Sequence, residues 1–189
     1  MYSLFEECYS LKSVDLSNLN TIHVENMSRM FYCCKSLISL DLSNLNTNKV
    51  KNMENMLYKC SSLQSIKFSI SDNITNMGYM FSECCTIPTQ NFNTSNVRNM
   101  SHMFDDCTSL TSLDLSNFNT NKVENMDFMF YNCSSLNYLD ITNFNSMKVK
   151  YMYKMFSGIN KKCKIIYICI DKKFTDNCYT PQTKHKSFP

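Results

Sequence analysis

The sequence predicts an α/β solenoid: a right-handed stack of coils in which each repeat of about 26 residues supplies one short parallel strand and one short helix. Three observations predict it. A methionine column recurs through most of the chain, two hydrophobic periods alternate inside each repeat, and an Asn-rich link joins them. Met1, Met27, Met53, Met77, Met100, Met126 and Met152 open successive repeats at spacings of 26, 26, 24, 23, 26 and 26 residues. Periods of this size are the mark of stacked repeat architectures, in which no single unit buries its apolar face alone.

The first half of each repeat carries the helical period. Val50, Met53, Met56, Leu57 and Cys60 recur at intervals of three and four residues, which places them on one face of a short helix. The second half carries the strand period. Leu40 and Leu42 alternate with Ser39, Asp41 and Ser43, so one face of a short strand is buried and the other faces water. The link SNLNT reads as a turn, because Asn tolerates unusual backbone angles and caps helices. One strand and one helix per 20–29 residues is the leucine-rich-repeat pattern.

These periods divide the chain into coils 1–26, 27–52, 53–76, 77–99, 100–125 and 126–151, with a partial coil at 152–159. Residues 160–170, which include KCKIIYICI, read as a capping strand, and residues 171–189 as a polar tail. Coils 53–76 and 77–99 are short, and CCTIPTQNFN keeps little of the LxSLDLS strand. Pro88 removes a ladder donor there. The expectation is a local break in the sheet and the weakest interface of the stack. Met1 already occupies a repeat column, so the first coil reads as uncapped. Either the chain is a fragment of something longer, or it forms a homo-dimer through that coil.

The unit MxxMFxxCxSLxSLDLSNFNTxxVxN resembles the BspA-type leucine-rich repeat. The resemblance covers residues 1–156 and is clearest at Met103, Phe104, Cys107, Ser109, Leu110, Leu113, Asp114, Leu115, Ser116, Asn117, Phe118, Asn119, Thr120 and Val123. It implies a strand-and-helix solenoid with a role in adhesion or other protein contact, at the cell surface or secreted, and it implies no catalytic residue. The opening MYSLFEECYSLKSVDLSNLN lacks a basic stretch followed by an apolar one, so no signal peptide is visible, and a cytoplasmic scaffold is the alternative.

Composition narrows the function classes. The chain has 189 residues and a net charge of +3, with the surplus scattered. That favours neither nucleic acid nor an anionic membrane surface. No apolar run is long enough to span a bilayer. Two glycines leave no Gly-rich phosphate cradle. Neither GxSxG, HExxH nor a dinucleotide fingerprint occurs, and His23, His102 and His185 have no recognisable nucleophile partner. The reading is therefore non-enzymatic, with no cofactor and no metal.

Six of the eleven cysteines, Cys8, Cys34, Cys60, Cys84, Cys107 and Cys133, share one column, and Ile159 takes the next place. An isoleucine substitute points to an apolar column of buried free thiols. The pairs at 33–34 and 84–85 lack the spacing of zinc knuckles. Asn18, Asn20, Asn44, Asn46, Asn117, Asn119, Asn143 and Asn145 form amide columns able to bond across coils. Asn73, Asn93 and Asn132 meet the glycosylation rule, which has meaning only in a secreted chain.

The candidate binding surface is the outward strand face. Its residues are Asp15, Asp41, Lys67, Asp114, Tyr138 and Asp140, flanked by Ser13, Ser17, Ser39, Ser43, Ser65, Ser69, Ser112, Ser116 and Thr142. The face reads either as solvated surface or as a docking site for a basic or hydroxyl-rich protein partner. Like charges opposite one another on neighbouring strands are unfavourable, and Lys67 interrupts the acidic series.

Overall fold

The computed structural model describes residues 1–68, 70–85, 87, 92–167 and 184–185. Its strands are β1 (Ser39–Asp41), β2 (Ser65–Lys67), β3 (Ser112–Asp114), β4 (Tyr138–Asp140), β5 (Lys164–Tyr167) and β6 (Lys184–His185). All pairings are parallel, in a two-stranded sheet β1–β2 and a four-stranded sheet β3–β4–β5–β6. Leu40 pairs with Ile66, and Leu113 pairs with Leu139, so equivalent positions of neighbouring repeats lie in register. β1 and β3 show the expected alternation, with the central Leu buried and its neighbours exposed.

The helix predicted for each repeat is replaced by a ladder of turns, and among the described residues there is no helix. The cause is visible in the backbone. Two residues per repeat are left-handed: Arg29 and Cys33, Asn55 and Lys59, Tyr79 and Glu83, His102 and Asp106, Phe128 and Asn132. Each but Asp106 is the third residue of a turn closed by an N–H to carbonyl bond three residues back. Met30 N–H donates to Met27 O at 3.3 Å and Cys34 N–H to Phe31 O at 3.1 Å. A positive φ at that place is what a type II turn requires, and it ends any helix.

The amides between these turns leave the repeat altogether. Met27, Arg29, Phe31 and Cys33 donate to the carbonyls of Asn52, Glu54, Met56 and Tyr58 at 2.7–3.0 Å. The same four donors recur in every repeat from Met27 to Met126. Ser28 O and Arg29 N–H belong to one peptide unit. Ser3 N–H donates to Ser28 O, Arg29 N–H to Glu54 O, Asn55 N–H to Gly78 O, Tyr79 N–H to Ser101 O, His102 N–H to Asp127 O and Phe128 N–H to Tyr153 O. Each column is thus a head-to-tail chain of peptides running from repeat to repeat, all with the same polarity. Hydrogen-bonded chains of this kind polarise one another.

Parallel bridges mark the same stacking: Asn26 to Asn52, to Asn76, to Asn99, to Asn125, to Tyr151. The side chains of these asparagines hold the entry to each turn ladder. Oδ1 of Asn26, Asn52, Asn76, Asn99 and Asn125 accepts the N–H two residues on, at 2.8–3.0 Å. Two further columns use the same device. Asn20, Asn46, Asn93, Asn119 and Asn145 accept from the residue two places on, as do Asp15, Asp41, Asp114 and Asp140. Asn and Asp suit this because their short side chains imitate a backbone turn.

The core lies between the turn ladder and the strands. Met27, Met30 and Phe31 are fully buried, as are Met77, Met80 and Phe81, and Met103 and Phe104. The phenylalanine rings stack along the columns, with centroids 6.0 Å apart for Phe81–Phe104 and 5.7 Å for Phe104–Phe130. Each such ring contributes about 1.5–3 kcal/mol of transfer free energy.

Beyond Cys8, which is half-buried, the cysteine column is buried, and its role is more specific than an apolar one. Each thiol donates to a carbonyl of the preceding repeat: Cys34 to Phe5, Cys60 to Phe31, Cys84 to Leu57, Cys107 to Phe81 and Cys133 to Phe104, at 3.0–3.2 Å. Burial pushes Cys34 up to about 11 and Cys133 up to about 12, and lifts Cys60, Cys84 and Cys107 as well. These groups are held as thiols.

On the strand side the described residues form two sheets. Among the described residues nothing bridges β2 to β3, and Pro88, Ser69 and the rest of the drifted stretch at 88–91 lie outside them. The interior there is filled by rings: Phe68, Phe81 and Phe92 meet at centroid distances of 5.3–6.2 Å, and Phe92 reaches Phe118 at 5.9 Å. On the turn side the bridges run through this region without a break.

Candidate functional site

The strand face brings its predicted residues to the surface in two groups. Ser39, Asp41, Ser65, Lys67, Ser112 and Asp114 are exposed, and Tyr138 and Asp140 are half-buried. Asp15 is also exposed but belongs to no strand, so it stands outside the sheet. Ser69 lies outside the described residues.

In the first group Asp41 lies opposite Lys67 on the neighbouring strand, and the two form an ion pair at 3.2 Å. Hydrogen bonds from the Ser43 hydroxyl and N–H, with Lys67 beside it, hold the Asp41 carboxyl down to about 2. In the second group Asp114 lies opposite Asp140. Neither carboxylate has a basic ion-pair partner among the described residues. The Ser116 hydroxyl and N–H lower the Asp114 pKa. Lys164 sits over the Tyr138 ring at 5.9 Å, and Tyr138 Oη donates to Asp140 Oδ2 at 3.2 Å. Burial, then that carboxylate, raises the Tyr138 phenol. One half of the face is therefore charge-neutralised, and the other presents two adjacent carboxylates.

The carboxylates have a local duty that the strand pattern alone did not reveal. Each one closes the turn that follows its strand, as described above. The signal was present in the spacing Asp-x-Ser/Thr, read only as strand alternation.

Two open clefts meet at Ser61 and Cys85. One, of ≈ 540 Å³, is lined by Lys12, Ser36, Ile38, Ser61, Ser62, Leu63, Gln64 and Cys85. The other, of ≈ 460 Å³, is lined by Ser61, Glu83, Cys84, Cys85, Asp106, Thr108 and Ser109. Cys85 is exposed at their junction. The first lining mixes serine hydroxyls with Ile38 and Leu63, and the second joins hydroxyls to the carboxylates of Glu83 and Asp106.

A second arrangement escaped the sequence reading. His102 Nδ1 lies 2.6 Å from Asp105 Oδ2, and the imidazole is stacked between Tyr79 and Phe128 at 4.1 and 4.6 Å between centroids. A carboxylate-oriented imidazole resembles part of a nucleophile-activating set. Here both ring faces are covered, inside a seam that continues through Tyr58 and Tyr153. The geometry is that of a rung in an aromatic ladder. His23 is elsewhere, 3.3 Å from Lys49 Nζ, and the side chain of His185 lies outside the described residues. Among the described residues no three of His, Cys, Asp and Glu converge closely enough to hold a metal ion, and no helix is long and apolar enough to cross a membrane.

Comparison with known proteins adds one relationship. No curated protein and no solved structure matches the chain. A family model does match, over residues 1–90 and again over 66–167, and those spans contain all the regular repeats just described. The chain belongs to the family described as Mycoplasma protein of unknown function, DUF285.

Proposed function

We propose that this chain is a non-enzymatic protein-binding module: a right-handed solenoid of leucine-rich-type repeats, akin to the BspA-type surface proteins, that engages a protein partner in adhesion through its strand face. The observation that carries the reading is the division of labour along each strand. One column is committed to the core, while Ser39 and Asp41, Ser65 and Lys67, and Ser112 and Asp114 remain exposed in register on a rigid ladder. The Asp114–Asp140 pair favours a basic partner, since a cation placed between them relieves a like-charge contact.

The test replaces Asp114 and Asp140 together by Asn. Asparagine keeps the Oδ1 acceptor that closes each turn and removes the charge. A partner captured by the wild-type chain should bind this variant at least about tenfold more weakly. An unchanged Kd assigns the contact to another face.

A second reading is an intracellular scaffold of the same architecture. It rests on the thiol ladder, because a reducing compartment preserves five buried cysteines as hydrogen-bond donors to carbonyls.

A further inference from the structure

Positive charge that runs scattered along the sequence is gathered by the stacking. In each repeat a Val or Ile packs inward just before the turn ladder, and a polar or charged residue flanks it on either side. One flanking column holds His23, Lys49, Asn73, Asn96, Lys122 and Lys148, and the other holds Glu25, Lys51, Thr75, Arg98, Glu124 and Lys150. Backbone bonds fix the second column in register. Lys51 N–H donates to Glu25 O, Thr75 to Lys51 O, Arg98 to Thr75 O, Glu124 to Arg98 O and Lys150 to Glu124 O, at 2.8–2.9 Å. Successive rungs of such a ladder lie roughly 4.8 Å apart, so the two columns form one narrow stripe along the stack. Its six lysine and arginine side chains are all exposed.

Only part of this charge is met inside the chain. Lys51 pairs with Glu25 at 3.2 Å, and Glu124 serves both Arg98 at 2.8 Å and Lys150 at 2.6 Å. Lys49, Lys122 and Lys148 have no carboxylate partner among the described residues. Lys49 Nζ lies 3.3 Å from the His23 ring, and Lys122 reaches Asn96 Oδ1. Lys122 and Lys148 hold the same place in adjacent repeats, and like charges so placed are unfavourable. Six cations face three carboxylates, Glu25, Asp72 and Glu124, a surplus equal to the net +3 of the whole chain. The apolar members Val50, Ile74, Val97 and Val123 are buried. Between the cations the exposed groups are amides, at Asn48, Asn73 and Asn121.

We propose that this stripe binds a linear acidic polysaccharide, whose anionic groups meet the cations and whose hydroxyls meet the amides. Charge complementarity supplies the attraction and relieves the Lys122–Lys148 contact. A protein contact is anchored by buried aromatic or apolar side chains, and a single-stranded nucleic acid by rings on which its bases stack. The second to fifth repeats offer neither along the stripe. The stripe shares no residue with the strand face, so this binding does not depend on the protein contact proposed above.

Titration of the intact chain with dextran sulfate, and with unsulfated dextran, tests this. Dextran sulfate should bind at about 0.15 M salt and weaken steeply as salt rises, while dextran should not bind. Lys49→Gln, Lys122→Gln and Lys148→Gln together remove the three unpaired charges and no ion pair, and should weaken binding at least about tenfold. Lys12→Gln, Lys35→Gln and Lys161→Gln together lower the net charge equally at exposed positions outside the stripe, and should change the affinity less than about threefold. Lys122→Gln alone, the mildest change, should weaken binding about two- to threefold, which keeps a folding defect of the triple variant from imitating loss of contact. Equal losses in the two triple variants overturn the proposal, since they report net charge and not the stripe. A wild type that fails to bind dextran sulfate overturns it too. So does polyglutamate or oligothymidylate that binds through the same three lysines more tightly than dextran sulfate, which assigns the stripe to an acidic peptide or to nucleic acid.

Discussion

The turn side and the strand side of the molecule are built from the same repeats and tolerate drift very differently. On the turn side the distance from the first Met to the Cys is seven residues in all six full repeats, from Met1–Cys8 to Met126–Cys133. The bridges there pass through the two short repeats unbroken. On the strand side those repeats lose residues, no pairing joins β2 to β3 among the described residues, and Phe68 and Phe92 fill the interior. The difference lies in what does the bonding. The turn ladder is held by backbone amides in fixed pairs with a buried Met, Phe or Cys between them, so a deletion within it breaks several columns at once. The strands contribute three residues each, and a lost rung leaves the neighbours standing.

The comparison yields five substitutions of decreasing effect. Phe104→Ala removes a fully buried ring stacked on both Phe81 and Phe130, and should cost about 3–5 kcal/mol in urea unfolding. Ile66→Ala, at the half-buried centre of β2, should cost roughly 1–2 kcal/mol, because less apolar surface is lost. A reversed order breaks the claim that the turn side dominates.

The left-handed positions sharpen the same point. Gly158, at φ 79°, stands where the other repeats carry residues such as Cys33, Lys59 and Glu83, and a Cβ there comes within 3.0 Å of Asn132 Cα. Gly158→Ala should destabilise by about 1–2 kcal/mol. Lys154, exposed and at φ 51°, offers the opposite change. Lys154→Gly should raise the melting temperature, with a gain of up to about 1 kcal/mol, as relief of the left-handed backbone outweighs the extra freedom of the unfolded chain. A lower melting temperature in this variant contradicts that assignment.

The smallest effect belongs to the strand face. The Asp41 carboxyl titrates at about 2 in the folded chain and near 3.9 when unfolded. A lowered folded value means its stabilisation is fully present above about pH 4 and is lost as the pH falls towards 2. Asp15 and Asp114 are shifted in the same direction, chiefly by the backbone and hydroxyl of the serine that follows. Thermal unfolding followed from neutral to acid pH should therefore fall less steeply for Asp41→Asn than for the wild type.

How much of this was legible in the sequence follows from the same physics. Hydrophobic columns depend on side chains, so the period, the parallel strands and the buried Met and Cys columns could be read directly. The turn ladder could not. Most of its left-handed positions hold residues such as Arg29, Cys33, Lys59, Tyr79, Glu83, His102 and Phe128, none of which signals a positive φ, and only Asn55, Asp106, Asn132 and Gly158 carry residues suited to it. Turns closed every third or fourth residue bury the same side chains as a helix, so the apolar spacing was misread as helical. The Asn column at the bridges was in plain view as the recurrent dipeptide Asn-Met, at Asn26, Asn52, Asn76, Asn99 and Asn125, yet hydrophobic periodicity gives no weight to a polar residue beside a buried one. Among the face residues, pairing could not be foreseen. Lys67 neutralises Asp41 because their repeats happen to be adjacent, and the His102–Asp105 contact arises from turn geometry.

The peptide columns have a mechanical consequence. Their hydrogen bonds lie along the direction in which the repeats succeed one another, so a pull applied between the two ends loads the interfaces in series and each carries the whole force. Parallel columns within an interface share the load, which makes rupture abrupt at one junction and leaves the neighbouring repeats folded. Under tension the chain lengthens in discrete steps.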